Sequence, residues 1–551
     1  MPNHHSKEGS MPMPTSCMVP SVAIKLVPAG LNGSVKSLIF VTANDLGLVG
    51  KMKSAFLLSL DLLSAWANGL TTASQEISSL ASINGANCQQ ACDTLASEFP
   101  GRLYYEAADT NFTIWDQKQL QTIYVCRVTP ASTEEVSQIL QVLVDSWCRF
   151  AVKCGGHSRY PDDSVSVGGV TIDLGLMNST VVSTDNTTAR VSGGALTRQV
   201  FAALDPYGLA YVGGRIGQVG MGGFTLGGGT SVLAAKYGWA LDNVIEYEVV
   251  LANASIVTAS EDSNPDLYYA LRGGGNNFGI VTAFNVSVFP QGDVYTGGRI
   301  FSYNQRERFL KEVEKIFTIE DSEDTNIVLE YRTAYSPQQG WTISSTQRYA
   351  EPVLYPQAYD GLNAIPALSN LTGGIGSLAS SVQYPEPLGS TRNVFASLTH
   401  YPSVELSKKG IEVLKRNVER ENLTSLNPQL ITYSIPAATM KKSKARGGNA
   451  LGLDVEGHLV INLLALAWTD SALDNSAYTF ADGFIADFKQ AAESLEAFHP
   501  YIYINYANKG QDVFAGYGET NRARLTEIQK TVDPYGIFTS SGLWTGFFKV
   551  R

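Results

Sequence analysis

The chain has 551 residues, of which 44% are apolar and 17% charged, a composition typical of a globular protein of two or more domains rather than a disordered chain. Lysine and arginine total 40 and aspartate and glutamate total 51, which gives a net charge of −11. The sequence holds no basic run long enough to follow a phosphate backbone, so we expect no nucleic-acid partner.

The first elements in chain order indicate a secretory signal that begins late. A basic start at Lys51–Lys53 precedes an apolar run from Ala55 to Leu63 and the small-residue stop Ala65-Trp66-Ala67. We therefore expect residues 1–51 to be a non-native or disordered extension, with Met52 as the true start. Residues 52–67 are then a signal peptide, too short in its apolar part to anchor the protein stably in a membrane. An amphipathic core helix is the alternative for this segment, because Asp61 interrupts the apolar run.

Cysteines and glycosylation sequons also favour secretion. Without Cys17, which lies in the extension, five cysteines allow at most two disulfides and one thiol. Pairing among four of them would tie the N-terminal segment to the next domain, while the connectivity stays open. These are Cys88, Cys92, Cys126 and Cys148, and Cys154 is the fifth. The chain also carries N-x-S/T sequons at Asn32, Asn111, Asn178, Asn186, Asn253, Asn285, Asn370 and Asn422.

The middle of the chain alternates helical and strand patterns. Ser132 or Thr133 can cap a helix that continues with Val136, Ile139, Leu140 and Leu143, and a strand over 150–154 follows. Strand patterns occupy 165–174, 181–191, two runs within 244–259, and 279–289, with a helix over 196–204. After Pro290 glycines become fewer, which indicates a second domain.

Three glycine-rich segments lie within this region. The first, Gly155-Gly156-His157-Ser158, follows a strand and can form a turn whose backbone N–H groups face an anionic ligand. The second has nine glycines in the seventeen residues 213–229, and the third, 272–281, places a glycine turn before a strand. The second segment does not match the Rossmann fingerprint, because no G-x-G-x-x-G opens a helix after the first strand with an acidic residue about 20 positions further on. Such backbone suits close contact with a flat or extended cofactor.

Together these segments resemble the FAD-binding domain of the vanillyl-alcohol-oxidase (PCMH-type) superfamily, in particular its berberine-bridge-enzyme-like branch. The resemblance covers about 120–291, and the tail adds Tyr503-Ile504-Asn505-Tyr506 and the run 533–538. It implies an α+β fold with a two-subdomain FAD domain and a separate α+β substrate domain, an antiparallel sheet covered by helices. The expected domains are 88–119, an N-terminal segment of the FAD domain; 120–291, the FAD domain; 292–498, the substrate domain; and 499–551, a segment that returns to the FAD domain.

The resemblance also implies roles for single residues. His157 would carry FAD covalently, since a neutral imidazole is a competent nucleophile. Ile216 stands where many members of the branch have a second attaching cysteine, so the attachment should be single. Val219 would lie beside the reactive edge of the flavin, where a small residue goes with oxygen access. The expected cofactor-binding residues are Gly155, Gly156, His157, Ser158, Val219, Gly220, Gly222, Gly223, Gly227, Gly228, Gly279, Ile280, Val281 and Asn505.

The tail supplies the candidate catalytic residues. Tyr503 or Tyr506 would reach the substrate, and a tyrosine, with a pKa of about 10, becomes a base only beside a cation or donor. Lys441, Lys442 and Arg446 are the nearest basic residues proposed for that role, and purely structural tyrosines are the alternative. The histidines show no metal-binding spacing, so we expect no metal.

These features predict an FAD-dependent oxidoreductase, with an oxidase that passes electrons to O2 favoured over a dehydrogenase. Its partners would be O2 and a small organic substrate in secondary metabolism. The alternatives are a carbohydrate or alcohol oxidase and a flavin-bound protein that catalyses a non-redox cyclisation.

Overall fold

The computed structural model describes residues 87–551, apart from 321–323, 337, 372, 384–386 and 422. The expected extension and signal peptide, Cys17, and the sequons at Asn32 and Asn422 lie outside these residues. Within the described part of the chain, no helix is both long enough and apolar enough to cross a membrane.

The first sheet lies in the segment 87–173. Its strands follow the order β1-β2-β4-β3, with β2 and β3 both parallel to β4. As the sequence predicts, Ser132 caps a helix here, accepting a hydrogen bond from the backbone N–H of Glu135. The elements are α1 (87–98), β1 (Leu103–Tyr105), α2 (Gln117–Leu120), β2 (Cys126–Val128), α3 (Thr133–Asp145), β3 (Phe150–Lys153) and β4 (Val170–Asp173).

Two disulfides fix α1 to this sheet. Cys88 pairs with Cys148 in the loop before β3, and Cys92 pairs with Cys126 at the start of β2. All four half-cystines are buried, and Cys154 is a thiol. The bridges thus join the N-terminal helix to the first sheet, a tie between the N-terminal segment and the next part of the chain that the sequence suggests.

The second sheet, in the segment 174–290, is antiparallel with the order β5-β6-β10-β8-β9. The run predicted over 181–191 is a hairpin of two strands, because a turn at Asn186 interrupts it. The elements are β5 (Thr180–Val182), β6 (Thr188–Ser192), α4 (Thr197–Leu204), β7 (Leu209–Ala210), α5 (Met221–Leu226), α6 (Ala234–Tyr237), β8 (Val244–Val250), β9 (Ile256–Ser260), α7 (Pro265–Leu271), β10 (Ile280–Ser287) and β11 (Phe289–Pro290), which pairs with β7.

A larger antiparallel sheet follows, with the order β15-β12-β14-β13-β18-β19-β17-β20 and β16 beside β12. Helices α8, α11 and α13 cover one of its faces and share a core with alternate residues of its strands, such as Leu329 and Tyr331. The elements are β12 (Val294–Ser302), α8 (Arg306–Phe317), β13 (Ile327–Ser336), β14 (Gly340–Tyr349), α9 (Asp360–Asn363), β15 (Ser369–Asn370), β16 (Gly374–Gly376), α10 (Leu378–Ser381), β17 (Arg392–His400), α11 (Val404–Glu421), β18 (Gln429–Ile435), α12 (Ala437–Ala445), β19 (Leu459–Trp468), α13 (Asp474–Ser494) and β20 (Phe498–His499).

The remaining chain contains α14 (Glu519–Val532) and returns to the second sheet, where Tyr501, Tyr503 and Ile504 join the core that contains Trp239. Two smaller sheets and a helix-covered antiparallel sheet together confirm the predicted α+β class.

Candidate active site

A single large cavity collects most of the predicted site residues. It has a volume of about 330 Å³, is partly open to solvent, and lies between the glycine-rich segments and the uncovered face of the large sheet. That volume is within the roughly 300–1,000 Å³ of an ordinary ligand pocket. A ligand in this cavity would contact both the glycine-rich segments and the large sheet.

The turn after β3 forms one wall of this cavity by packing directly on the second glycine-rich segment. A Cβ on Gly155 would stand 2.4 Å from the backbone nitrogen of Gly220, and a Cβ on Gly220 would stand 2.3 Å from that of Gly155. Neither position tolerates a side chain without moving backbone. Glycine is needed here for contact between two protein segments, and Gly223 differs because a Cβ there would meet only open space.

His157 lies in the wall with its ring stacked on Trp115, at 4.0 Å between centroids and 15° between planes. Burial, reinforced by the neighbouring Arg159 cation, lowers the pKa of His157 to about 4. The imidazole is therefore neutral at physiological pH, which is the form that can act as a nucleophile. Sequence reasoning missed Trp115, because it is distant in the chain from His157 and follows no glycine motif.

The structure brings most of the predicted cofactor residues to the cavity and leaves two outside its lining. Gly227 lies against Asn505, and Gly228 lies against Tyr503 and Trp239. They support the tail rather than face the cavity. The predicted residues that line it are Gly155, Gly156, His157, Ser158, Val219, Gly220, Gly222, Gly223, Gly279, Ile280, Val281, Tyr503, Asn505 and Tyr506.

The two candidate tyrosines have different surroundings. The Oη of Tyr503 accepts hydrogen bonds from the backbone N–H groups of Gly229 and Thr230 at 3.2 and 3.3 Å, and from Nδ2 of Asn505 at 3.0 Å. Burial nevertheless raises the pKa of Tyr503 to about 12, so it stays protonated. The Oη of Tyr506 instead accepts a hydrogen bond from Nη2 of Arg215 at 2.9 Å. Of the two, Tyr506 is the tyrosine held beside a cation.

The basic residues proposed from the sequence for this role are the wrong ones. Lys441 and Lys442 are exposed on α12, and none of the three proposed residues lines the cavity. Arg446 donates to the carbonyl of Asp242 and to the side chain of Asn243. Proximity in sequence misled here, because α12 packs on α6 and stays outside the cavity lining, while Arg215 enters the lining from the glycine-rich segment.

Arg215 also pairs with Glu330 on β13, inside the cavity wall. Burial acts to raise the pKa of Glu330, yet the cations Arg215, Arg348 and Arg332 outweigh it and lower that pKa. The Arg215 guanidinium lies 4.3 Å over the ring of Tyr433, and its pKa is raised despite burial by Tyr506 and Glu330. Both members of the pair therefore stay charged.

The polar face of β13 is the signal that sequence reasoning missed. Glu330 and Arg332 alternate with Leu329 and Tyr331, a pattern that on its own predicts a solvated strand face. Here that face is turned toward the cavity instead of bulk water.

The tail closes another part of the wall. Trp544 and Phe547 line the cavity, and the backbone N–H of Phe547 donates to Oδ1 of Asp163 at 2.6 Å. Asp163 also accepts a hydrogen bond from the hydroxyl of Ser158 in the glycine turn, and burial raises its pKa. The end of the polypeptide is thus bonded to the segment that carries His157.

Comparison with known proteins agrees with this site. The family model of the FAD binding domain matches residues 125–260. An FAD-dependent monooxygenase of Cochliobolus heterostrophus is 32% identical over 449 residues, which cover 77% of this chain and 85% of that protein. The bifunctional solanapyrone synthase of Alternaria solani is 28% identical over 464 residues, with coverage of 84% and 88%.

The chain belongs to the family of FAD-dependent oxidoreductases. Solved structures share the fold of this flavoprotein. Xylooligosaccharide oxidase of Myceliophthora thermophila superimposes with a TM-score of 0.68 at 20% identity, covering 84% of this chain and 99% of that one. Glucooligosaccharide oxidase of Acremonium strictum, whose FAD is described as 6-S-cysteinyl and 8α-N1-histidyl, gives 0.67 at 18% identity, with coverage of 84% and 99%.

The residues of this flavoprotein fit FAD. A neutral histidine faces the cavity, and the lining at Gly223 is open. Ile216 also lines the cavity, and its alkyl side chain offers no sulfur for a second bond.

Proposed function

We propose that this flavoprotein is an oxidase of a small organic molecule in secondary metabolism, with FAD attached through His157 alone and O2 as the final electron acceptor. The observation that carries the proposal is the hydrogen bond from Arg215 to Tyr506 in the same cavity as the buried, neutral His157. Relatives named as a monooxygenase and as solanapyrone synthase support a role in secondary metabolism.

The single attachment is supported by the chemistry of the two positions that could bind the flavin covalently. His157 would hold it through an imidazole nitrogen, whereas Ile216 cannot form a thioether. Cys154 is a thiol in the lining, but burial raises its pKa and the Gly222 N–H already donates to its sulfur at 3.4 Å. Since the thiolate is the reactive form, Cys154 should remain unattached.

When bound, FAD supplies the two-electron acceptor. Tyr506, as the phenolate, would take the proton that the substrate releases and become a neutral phenol. Arg215, which donates to its oxygen, would hold that oxygen in place and stabilise the negative charge it carries before the transfer. Tyr503, fixed by three N–H donors, would position the tail rather than exchange a proton. Val219 lines the cavity, and its small side chain would leave access for O2.

The test is the fate of oxygen during turnover. An oxidase consumes one O2 for each substrate and releases one H2O2, with no oxygen entering the product. A monooxygenase, the function in the names of several relatives, instead places one atom of 18O2 in the product and releases little peroxide. Product labelled with 18O would overturn the oxidase assignment, and turnover without O2 or flavin bleaching would indicate the non-redox cyclase.

We also propose that the protein passes through the secretory pathway. The two disulfides support this, because such bridges persist in oxidising compartments. Expression of the whole chain in a fungal host tests it: a secreted product should begin near residue 68 and lose mass on deglycosylation. Recovery only inside the cell, unglycosylated, would contradict the proposal.

A further inference from the structure

The cavity face of the large sheet has an unusual pattern for a site that would bind neutral hydroxyl groups. The described residues that this sheet contributes to the lining are charged or apolar, without an amide or hydroxyl side chain among them. They are Glu330, Arg332, Arg348, Phe395, Ile431 and Leu463.

Strand register places a cation at one end of an apolar row. Arg332 on β13 is directly opposite Ile431 on β18, which is directly opposite Leu463 on β19. Directly opposite side chains on one face of a sheet are neighbours, about 5 Å apart at Cβ. Phe395 on β17 lies two residues along that strand from Ser397, the partner of Leu463, and so is its diagonal neighbour. The Phe395 ring is 6.1 Å from that of Tyr506 and 5.8 Å from that of Trp115. The row therefore leads from a guanidinium to the tyrosine proposed as base.

The arginines on this face are not equivalent. Arg215 is held by Glu330 and Tyr506, and its side chain is only 9% exposed. Arg332 lies two residues beyond Glu330 on the same strand face and is exposed while lining the cavity. A guanidinium in this position can bind a planar anionic group by donating two parallel hydrogen bonds to it, which an ammonium group cannot reproduce.

We infer that the substrate is an acidic molecule with a largely apolar body, whose carboxylate or acidic enol binds Arg332. The apolar body then lies on Ile431, Leu463 and Phe395, and its reacting end faces Tyr506. This inference rests on the proposed function, because it places the substrate in the cavity that also holds the flavin. A site of this kind differs from a binding site for neutral sugars, because recognition of a sugar needs many hydrogen-bonding side chains.

The experiment measures binding of matched acids and amides to the holoprotein by calorimetry, with the visible flavin spectrum as a second readout. The pairs are benzoate and benzamide, cinnamate and cinnamamide, and 2-naphthoate and 2-naphthamide, with xylobiose as the neutral sugar. We expect at least one acid to bind tenfold or more tightly than its amide and than xylobiose. That ratio should shrink as salt is raised, since exposed charges are screened.

Variants test whether Arg332 is the residue that causes the preference for acids over amides. Arg332→Gln should reduce the acid-to-amide ratio to near one, Arg332→Lys should retain part of it, and the control Arg416→Gln on α11 should leave it unchanged. Arg416 is a suitable control because its exposed side chain pairs with Asp487 on the helix-covered side of the sheet. The inference is overturned if no acid binds better than its amide, if xylobiose binds best, or if Arg332→Gln keeps the preference. A protein isolated without flavin would instead contradict the proposed function, while calorimetry would still report the acid preference.

Discussion

The ion pair of Arg215 and Glu330 can be tested by a double-mutant cycle. Their side chains are 9% and 14% exposed, and removing one partner of a buried pair typically costs about 3–5 kcal/mol. Arg215→Met leaves Glu330 with Arg332 and Arg348 nearby, so we expect the lower end, about 3 kcal/mol. Glu330→Gln leaves Arg215 bonded to Tyr506 and should cost a similar amount. Removing both charges together should cost less than the sum by about 2 kcal/mol.

The assay is urea unfolding of the holoprotein and its three variants, followed by tryptophan fluorescence. A parallel cycle on Arg416 and Asp487, which are 3.4 Å apart with 60% and 41% of their side chains exposed, provides the control. For that surface pair we expect a coupling below about 1 kcal/mol. The reasoning would be refuted if the loss of unfolding free energy in the Arg215 and Glu330 double variant equalled the sum of the two single losses within about 0.5 kcal/mol. Equal coupling energies in the two cycles would refute it as well.

Three further outcomes follow from the site and the core. His157→Ala should release all flavin on acid precipitation, whereas Cys154→Ala should keep the flavin on the polypeptide. In-gel flavin fluorescence distinguishes the two variants. Flavin retained by His157→Ala would contradict covalent attachment through His157. Tyr506→Phe should lower kcat by about 10²–10⁴ with little change in anaerobic substrate binding, measured by stopped flow. Burial lowers the pKa of His400 to about 4. Between pH 6.5 and 4 this histidine is therefore protonated in the unfolded chain and neutral in the folded one, so the free energy of unfolding falls as the pH drops. In His400→Gln, the free energy of unfolding measured with urea should fall less steeply as the pH drops. An unchanged slope against pH would argue against this role of His400.

The sequence was sufficient for features that are local in the chain. The glycine turn, the helix cap at Ser132 and the strand before His157 each depend on a few adjacent residues, whose conformational preferences act in the same direction. The tail motif likewise placed Tyr503 and Tyr506 at the cavity. Gly227 and Gly228 were assigned to the cofactor because glycine permits close approach, and the pattern does not say whether a ligand or another segment approaches.

The rest of the site depends on pairings between distant segments. Arg215 and Glu330 are 115 positions apart, and the register of β13 within its sheet decides that Glu330 faces the cavity. A polar strand face has the same sequence pattern whether it meets bulk water or an enclosed site. The choice of Arg215 over the Lys441 region could therefore be made only once the packing of the second sheet against the large one was known.

The bond between Phe547 and Asp163 has a consequence for biosynthesis. It joins residues 384 positions apart and completes the wall next to the turn that carries His157. During translation, a chain that has not yet reached residue 547 has its glycine-rich segments in place but lacks part of that wall. Tight binding of the cofactor must then follow synthesis of the tail. A ribosome-bound chain that ends before Trp544 should fold its first sheets but retain FAD poorly.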